Sequence, residues 1–206
     1  YDPAWEHASA ITVVGGRQVE ITNVVISDVG GDALTLTGNP AEWPIDVWFH
    51  DSQVKSAGRN GVAIIAGSDV VVERVSFDIS GYCTFDIEPN DPTQGASNIR
   101  FLDNTAGSWS NSFLSAEGAS GSVVNGVTVS GNTVTGASLV TIIQLARRQN
   151  IVFTNNTSLV SDNGPVLRFA HIDGLTVTGN VQPLSSGSLA SITDSTFSPL
   201  VPLSDA

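Results

Sequence analysis

The stretch Asn150-Ile151-Val152-Phe153-Thr154-Asn155-Asn156 sets two apolar side chains, Ile151 and Phe153, either side of Val152 and follows them with paired asparagines. Side chains alternate along a strand, so Ile151 and Phe153 face one way and Val152 the other. The same apolar-x-apolar segment recurs down the chain. It reads VEI from Val19, VWF from Val47, VVV from Val70, IRF from Ile99, VTV from Val127, IVF from Ile151 and LTV from Leu175. Subtracting successive positions gives steps of 28, 23, 29, 28, 24 and 24 residues. A repeat of this length predicts a solenoid in which each coil is one unit and buries its apolar row against the next. The recurring segments are termed leading strands.

Adding 15 to each leading position reaches Leu34, Val62, Phe85, Leu114, Ile142, Val166 and Ala190, all apolar. This constant offset predicts a second, exit strand in every coil. From exit strand to next leading strand the lengths are 13, 8, 14, 13, 9 and 9, so length variation is confined to one corner. Insertions at one corner project from one side and leave the stacking intact. The last coils strain the pattern, because Gln144 and Arg168 fall where inward apolar residues belong. Either the exit strand shifts by one there, burying Ile143 and Phe169, or the register differs.

Asn104, Asn132, Asn156 and Asn180 each lie 5 residues after a leading position. Asparagine tolerates the left-handed backbone of a sharp corner, and stacked amides can hydrogen-bond from coil to coil. An Asn ladder is expected inside that corner. The fold class is therefore all-β, a parallel β-helix of about seven to eight coils. One domain over residues 1–197 is expected, beginning partway round a coil because Ile11 lies 8 residues before Val19, with residues 198–206 a tail or linker. A chain that opens on Tyr1 and contains no Met reads as a processed protein or a piece of one.

Composition agrees. Charged residues are only 14% and apolar residues 41%, with abundant small and β-branched types. A net charge of −12 disfavours nucleic acid, and the basic doublet Arg147-Arg148 is too small to offset it. No apolar run approaches a membrane span of about 18 residues. Cys83 is alone and closes no internal disulfide.

Beyond periodicity, the phrases Asn150 to Asn156 and Gly30-Gly31-Asp32-Ala33-Leu34 resemble the right-handed β-helix proteins of the pectate-lyase-like superfamily of bacteria and phages. Segments such as Trp5-Glu6-His7 and Thr84-Phe85-Asp86-Ile87-Glu88-Pro89-Asn90 are similar to actinobacterial β-helix repeat proteins. The resemblance covers about residues 5–197 and implies a right-handed coil. It also implies a glycan lying along the exit-strand face. No Gly-His-Gly, Asp-Asp or Arg-x-Lys of the polygalacturonase type occurs, and the single lysine, Lys55, lies away from that face. No named activity carries over.

With Leu34-type residues inward, Asp86, Glu88, Ser115 and Glu117 are expected to point out of the exit strands. Asp86 and Glu88 would be separated by roughly 6.6 Å along one strand, and Glu88 would stack about 5 Å from Glu117. Such carboxylates suit acid–base chemistry in a hydrolase or lyase, with Asp86, Glu88 and Glu117 the catalytic candidates. They equally suit calcium, with Asn90 and Asp91 nearby, or simply a soluble surface. Before the exit strands, His7, Asp32, Arg59 and Asn60 are expected to edge the groove as substrate-binding residues. His7 and Asp32 have a turn-forming alternative, and Arg59 would either hold a sugar carboxylate or neutralise Asp32 and Asp86. Trp43 and Trp109 are candidates for stacking on sugars or for lids over apolar surface. Pro89 to Asn98 and Gly118 to Gly126 are expected on the same side as Trp43 and with it would form one wall.

The expected function is a secreted or virion-borne β-helix that binds polysaccharide, with cleavage as its enzymatic version. The alternative is a non-catalytic shaft or adhesin segment, as a homotrimer or with a neighbouring chain on the open N-terminal coil.

Overall fold

The computed structural model describes residues 8–39 and 41–197, and no α-helix occurs among them. Eight exit strands, from Ile11–Val14 to Ala190–Thr193, form one parallel sheet. Eight leading strands, from Arg17–Thr22 to Thr196–Phe197, form a second. In both, hydrogen-bonded neighbours come from consecutive coils, so the chain is a parallel solenoid of about seven turns.

The leading-strand register is the one the periodicity predicts. Val19 pairs with Val47, Val47 with Val70, Val70 with Ile99, Ile99 with Val127, Val127 with Ile151 and Ile151 with Leu175. Exit strands follow too at first, with Ile11, Leu34, Val62, Phe85 and Leu114 in register. Leu114 then pairs with Thr141 instead of Ile142, and Thr141 with Leu167 instead of Val166. The one-residue shift is the first of the two readings given above. Slipping a strand by one residue exchanges its two faces, so Ile143 and Phe169 become fully buried while Ile142 and Arg168 turn outward.

Periodicity alone misses a third sheet. Six short strands, from Val25–Ile26 to Thr157–Ser158, start 6 residues after the first six leading positions and also stack in parallel. Most are too brief for alternation to be visible.

The three sheets enclose an interior of stacked apolar side chains. Phe85 is its hub, stacked on Phe101 at 4.1 Å and meeting Phe77 and Phe113 edge-on at 5.3 and 5.2 Å. Inward pairs such as Val47 and Phe49, or Ile99 and Phe101, are almost completely buried.

The Asn ladder forms inside the corner as expected. Asn104 Nδ2 donates to Asn132 Oδ1 at 3.0 Å, Asn132 to Asn156 at 2.8 Å and Asn156 to Asn180 at 3.0 Å. The same Oδ1 atoms accept backbone N–H groups of the preceding coil. The left-handed residues lie one position earlier, at Asn23, Asp51, Arg74, Asp103, Gly131, Asn155 and Gly179. Asparagine at the next position is thereby aimed inward, where its amide satisfies backbone groups that water cannot reach.

Replacing Asn132 with alanine therefore strands Asn104 N–H and Phe101 C=O and leaves Asn104 Nδ2 with Val72 O alone. The expected loss is about 2–4 kcal/mol in urea unfolding. Serine, which the second coil carries at Ser52 and uses to cap Val24 N–H, should recover part of it.

Candidate functional site

Three residues before the inward exit positions Val62 and Phe85 stand Arg59 and Tyr82, and two before Leu34, Val62 and Phe85 stand Asp32, Asn60 and Cys83. The constant offsets make vertical columns. Asn60 N–H donates to Asp32 Oδ1 at 3.0 Å, Cys83 N–H donates to Asn60 Oδ1 at 3.1 Å, and Cys83 Sγ meets Ser112 Oγ at 3.2 Å. The column packs so closely that a Cβ on Gly58 or Gly81 would sit 2.1 or 2.0 Å from a carbonyl oxygen of the coil before. Burial pushes the Cys83 thiol up to about 12, which makes it an inert spacer.

This column edges the groove. Arg59, 9% exposed, donates one arm of its guanidinium to Asp32 at 3.4 Å and the other to Glu88 on the next exit strand. Arg59 forms ion pairs with Asp32 and Glu88, and its charge also acts on Asp86. Thr35 Oγ1 donates to the same oxygen, Asp32 Oδ2, at 3.0 Å. Burial lifts the Asp32 carboxyl above its usual range against the pull of Arg59. Asn60 is fully buried and offers Nδ2 to Asp86 at 3.3 Å.

Asp86 points out of the exit strand as expected, yet it is only 3% exposed. Asn60, Ser115 and Glu88 close around it, so outward here means into a covered polar pocket rather than into water. The spacing of about 6.6 Å describes the backbone. The side chains converge, bringing the Asp86 carboxyl within hydrogen-bonding reach of Glu88. Burial raises the pKa of Asp86 well above the carboxylate range, and the charge of Glu88 raises it further against the opposing pull of Arg59. Two neighbouring carboxyls cannot both hold a full charge cheaply, which favours the protonated form of the more buried Asp86.

Glu117 takes a different role. Its two oxygens accept the backbone N–H groups of Gln144 and Leu145, each at 2.7 Å, which ties it to the following coil. Glu88 and Glu117 keep the predicted common height and line one depression, while Glu88 also engages Arg59 and Glu117 the backbone of the following coil. Nearby, Arg148 is completely buried and donates to Ala116 O at 3.0 Å and Ser122 O at 3.1 Å, clamping the loop between them. The basic doublet thus has a structural member that composition could not reveal.

Two depressions of about 310 and 370 Å³ share Glu88 and Asn90 in their walls. Asp32, Thr35 and Arg59 line the first, and Tyr82, Asp86, Ser115 and Glu117 the second. Two of the three segments expected in the wall meet at Pro89 and Gly118, where Ala119 N–H donates to Pro89 O at 2.6 Å. Gly118 has φ +61°, and a Cβ there would lie 2.6 Å from Pro89, so this contact demands glycine.

Other candidates lie elsewhere. Trp43 lines a separate depression with Gly15, Arg17 and Glu42 and packs beside Gly95, and it takes no part in either Glu88 depression. Trp109 leans on Phe113 at 5.6 Å as a lid over the core. His7 and Glu6 lie outside the described residues. Asp91 accepts Thr93 N–H at 2.7 Å and closes its own turn. Among the described residues no group of three or more His, Cys, Asp or Glu side chains could hold a metal ion, and no helix is long and apolar enough to cross a membrane.

The family described as right-handed β-helix region matches residues 4–158. The chain belongs to that family. Membership of the right-handed β-helix family agrees with the stacked parallel sheets and supplies the hand of the coil. No curated protein and no solved structure matches the chain. The chemistry of this β-helix therefore rests on its own residues. Tyr82 and the Arg59–Glu88 contact escaped the linear reading, although the constant offset from Val62 and Phe85 already places Tyr82 in the Arg59 column.

Proposed function

We propose that this β-helix binds an extracellular polysaccharide along its exit-strand face and hydrolyses it with Asp86 and Glu88. The observation that carries this reading is a carboxyl buried to 3% exposure, in contact with a second carboxylate, on the wall of an open depression. A solenoid gains no stability from such a group. Perturbed acids in clefts are a mark of acid–base sites.

In the proposed reaction Asp86 gives its proton to the glycosidic oxygen as the C–O bond breaks. Water supplies the hydroxyl at the anomeric carbon, and the proton it releases returns to the pair through Glu88. Contact between the carboxyls lets the proton pass back to Asp86 and resets the site. Arg59 holds Glu88 in place, and Asn60 and Ser115 hold Asp86.

Charge favours a neutral glycan over a polyuronate. Arg59 already faces Asp32 and Glu88, and the chain carries −12 overall, which repels a polyanion. Elimination from a uronate also needs cations at the sugar carboxylate, and hydrolysis does not.

The test is product analysis after incubation with xylan, mannan, mixed-linkage β-glucan and polygalacturonate. New reducing ends are expected from a neutral polymer and none from polygalacturonate. Binding without products would reduce the protein to a lectin-like role. Neither binding nor products from any polymer would favour the shaft reading, in which the groove is inert.

A further inference from the structure

A further depression of about 670 Å³ lies on a different face, the outer side of the leading-strand sheet. It falls within the range of about 300–1,000 Å³ typical of small-molecule sites. Trp48, Val71 and Arg100 occupy the same outward position in three consecutive coils. Trp48 and Arg100 therefore stand about 9.6 Å apart as two walls over a Val71 floor, at about 4.8 Å per coil.

Trp48 is exposed yet held. Its Nε1–H donates to Glu73 at 3.0 Å, and one face of the indole is stacked on His50 at 3.7 Å. His50 is itself gripped between Asp51 at 2.6 Å and Glu20 at 3.1 Å, and Glu73 pairs with Arg74 at 2.7 Å. The covered face belongs to His50, so the other face and the outer edge of the indole line the depression. The ordering that a ring-binding platform normally loses on association is already complete.

Opposite the indole the polar groups are available. Among the described residues, neither the Arg100 guanidinium nor the Asp46 carboxylate has a hydrogen-bond or ion-pair partner. Asp69 and Asn98, joined at 2.6 Å, complete that end. Asp46, Asp69 and Asn98 stand at the same position of three consecutive coils, each with a left-handed backbone at φ of +59°, +55° and +52°.

We infer that this tray is a second carbohydrate site, taking one ring of a neutral glycan on the Trp48 indole while Asp46, Asp69, Asn98 and Arg100 hydrogen-bond its hydroxyls. An apolar floor, an immobilised aromatic wall and a rim of unspent donors and acceptors match a sugar ring, which is apolar on its faces and polar at its edge. The acidic rim disfavours a uronate. This site is independent of the exit-strand groove, and the two faces together would let one coil stack engage two glycan strands.

The experiment titrates cellohexaose, xylohexaose and mannohexaose into the Asp86→Asn protein, which leaves the sugars uncut, following the indole N–H resonances and the heat of binding. At least one hexasaccharide is expected to bind and shift the Trp48 resonance. Trp48→Ala and Val71→Lys, the second of which fills the floor and leaves the indole in place, are each expected to weaken that binding tenfold or more. Binding that survives both substitutions, or that moves only groove resonances, would overturn the tray while leaving the groove reading intact. No binding of any of the three sugars would overturn it as well, whatever the groove does with polymers.

Discussion

Replacing Arg59 with methionine is expected to cost about 3–5 kcal/mol of folding stability at pH 7, the usual penalty for stranding buried carboxylates by removing their partner. Arg59 is the one guanidinium between Asp32 and Glu88, and both carboxylates are largely covered, with side-chain exposures of 3% and 22%. Methionine keeps much of the volume and supplies no charge. The deficit should shrink as the pH is lowered, because protonation relieves the stranded acids. Adding Glu88→Gln to Arg59→Met should restore part of the loss at pH 7. Urea unfolding at pH 7 and pH 4 measures both, and a loss below about 1 kcal/mol would show that the bridge behaves as an ordinary surface pair.

Asp86→Asn should have the opposite effect on stability and the largest effect on chemistry. The folded-state pKa of Asp86 lies above its ordinary value, because burial and Glu88 disfavour the charged form. Between those two pKa values the folded protein keeps a proton that the unfolded chain releases, so stability falls as pH rises through the window. Asparagine imitates the protonated acid, accepting from Asn60 and donating toward Glu88, without that proton to hold. It should be nearly neutral at pH 4 and stabilise by about 1–3 kcal/mol at pH 8, each tenfold change in proton affinity being worth about 1.36 kcal/mol. Cleavage of a neutral polymer should fall by about 10²–10⁴-fold, the range associated with losing a general acid. A variant that is both less stable and fully active would remove Asp86 from the proposed chemistry.

These opposed effects follow from columns that were partly legible in the linear sequence. The leading strands declared themselves because each inward pair, such as Ile99 and Phe101, repeats at a nearly constant step and must be apolar to be buried. The Asn ladder was legible for the same reason, since Asn104, Asn132, Asn156 and Asn180 keep one offset. The shift at Thr141 and Leu167 was visible only as a conflict at Gln144 and Arg168, because a one-residue slip leaves composition unchanged. The short third sheet left no trace, as two-residue strands such as Gln53–Val54 are too brief to alternate.

At the groove, the linear reading placed Asp86, Glu88, Asp32, Arg59 and Asn60 on adjacent coils. It could not say which side chains would meet. Offsets give the height of a residue on the rod, whereas the choice of Glu88 over Asp86 by Arg59 depends on rotamers. Glu117 shows the limit most clearly. Its height matches Glu88, yet the linear pattern gives no sign that its two oxygens accept Gln144 N–H and Leu145 N–H. Trp43 and Trp109 lie outside the two Glu88 depressions for a related reason, since an indole in a loop is placed by the apolar surface it covers.

The claim beneath the proposed chemistry is that a single carboxyl, walled in by Asn60, Ser115 and Glu88, keeps its proton in neutral water. A carbon-13 titration of the side-chain carboxyl of Asp86 reads this without substrate or mutation. The resonance is expected to move well above the ordinary aspartate midpoint of about 4. A midpoint at that ordinary value would mean that the pocket holds no acid, and the hydrolytic reading would fall with it.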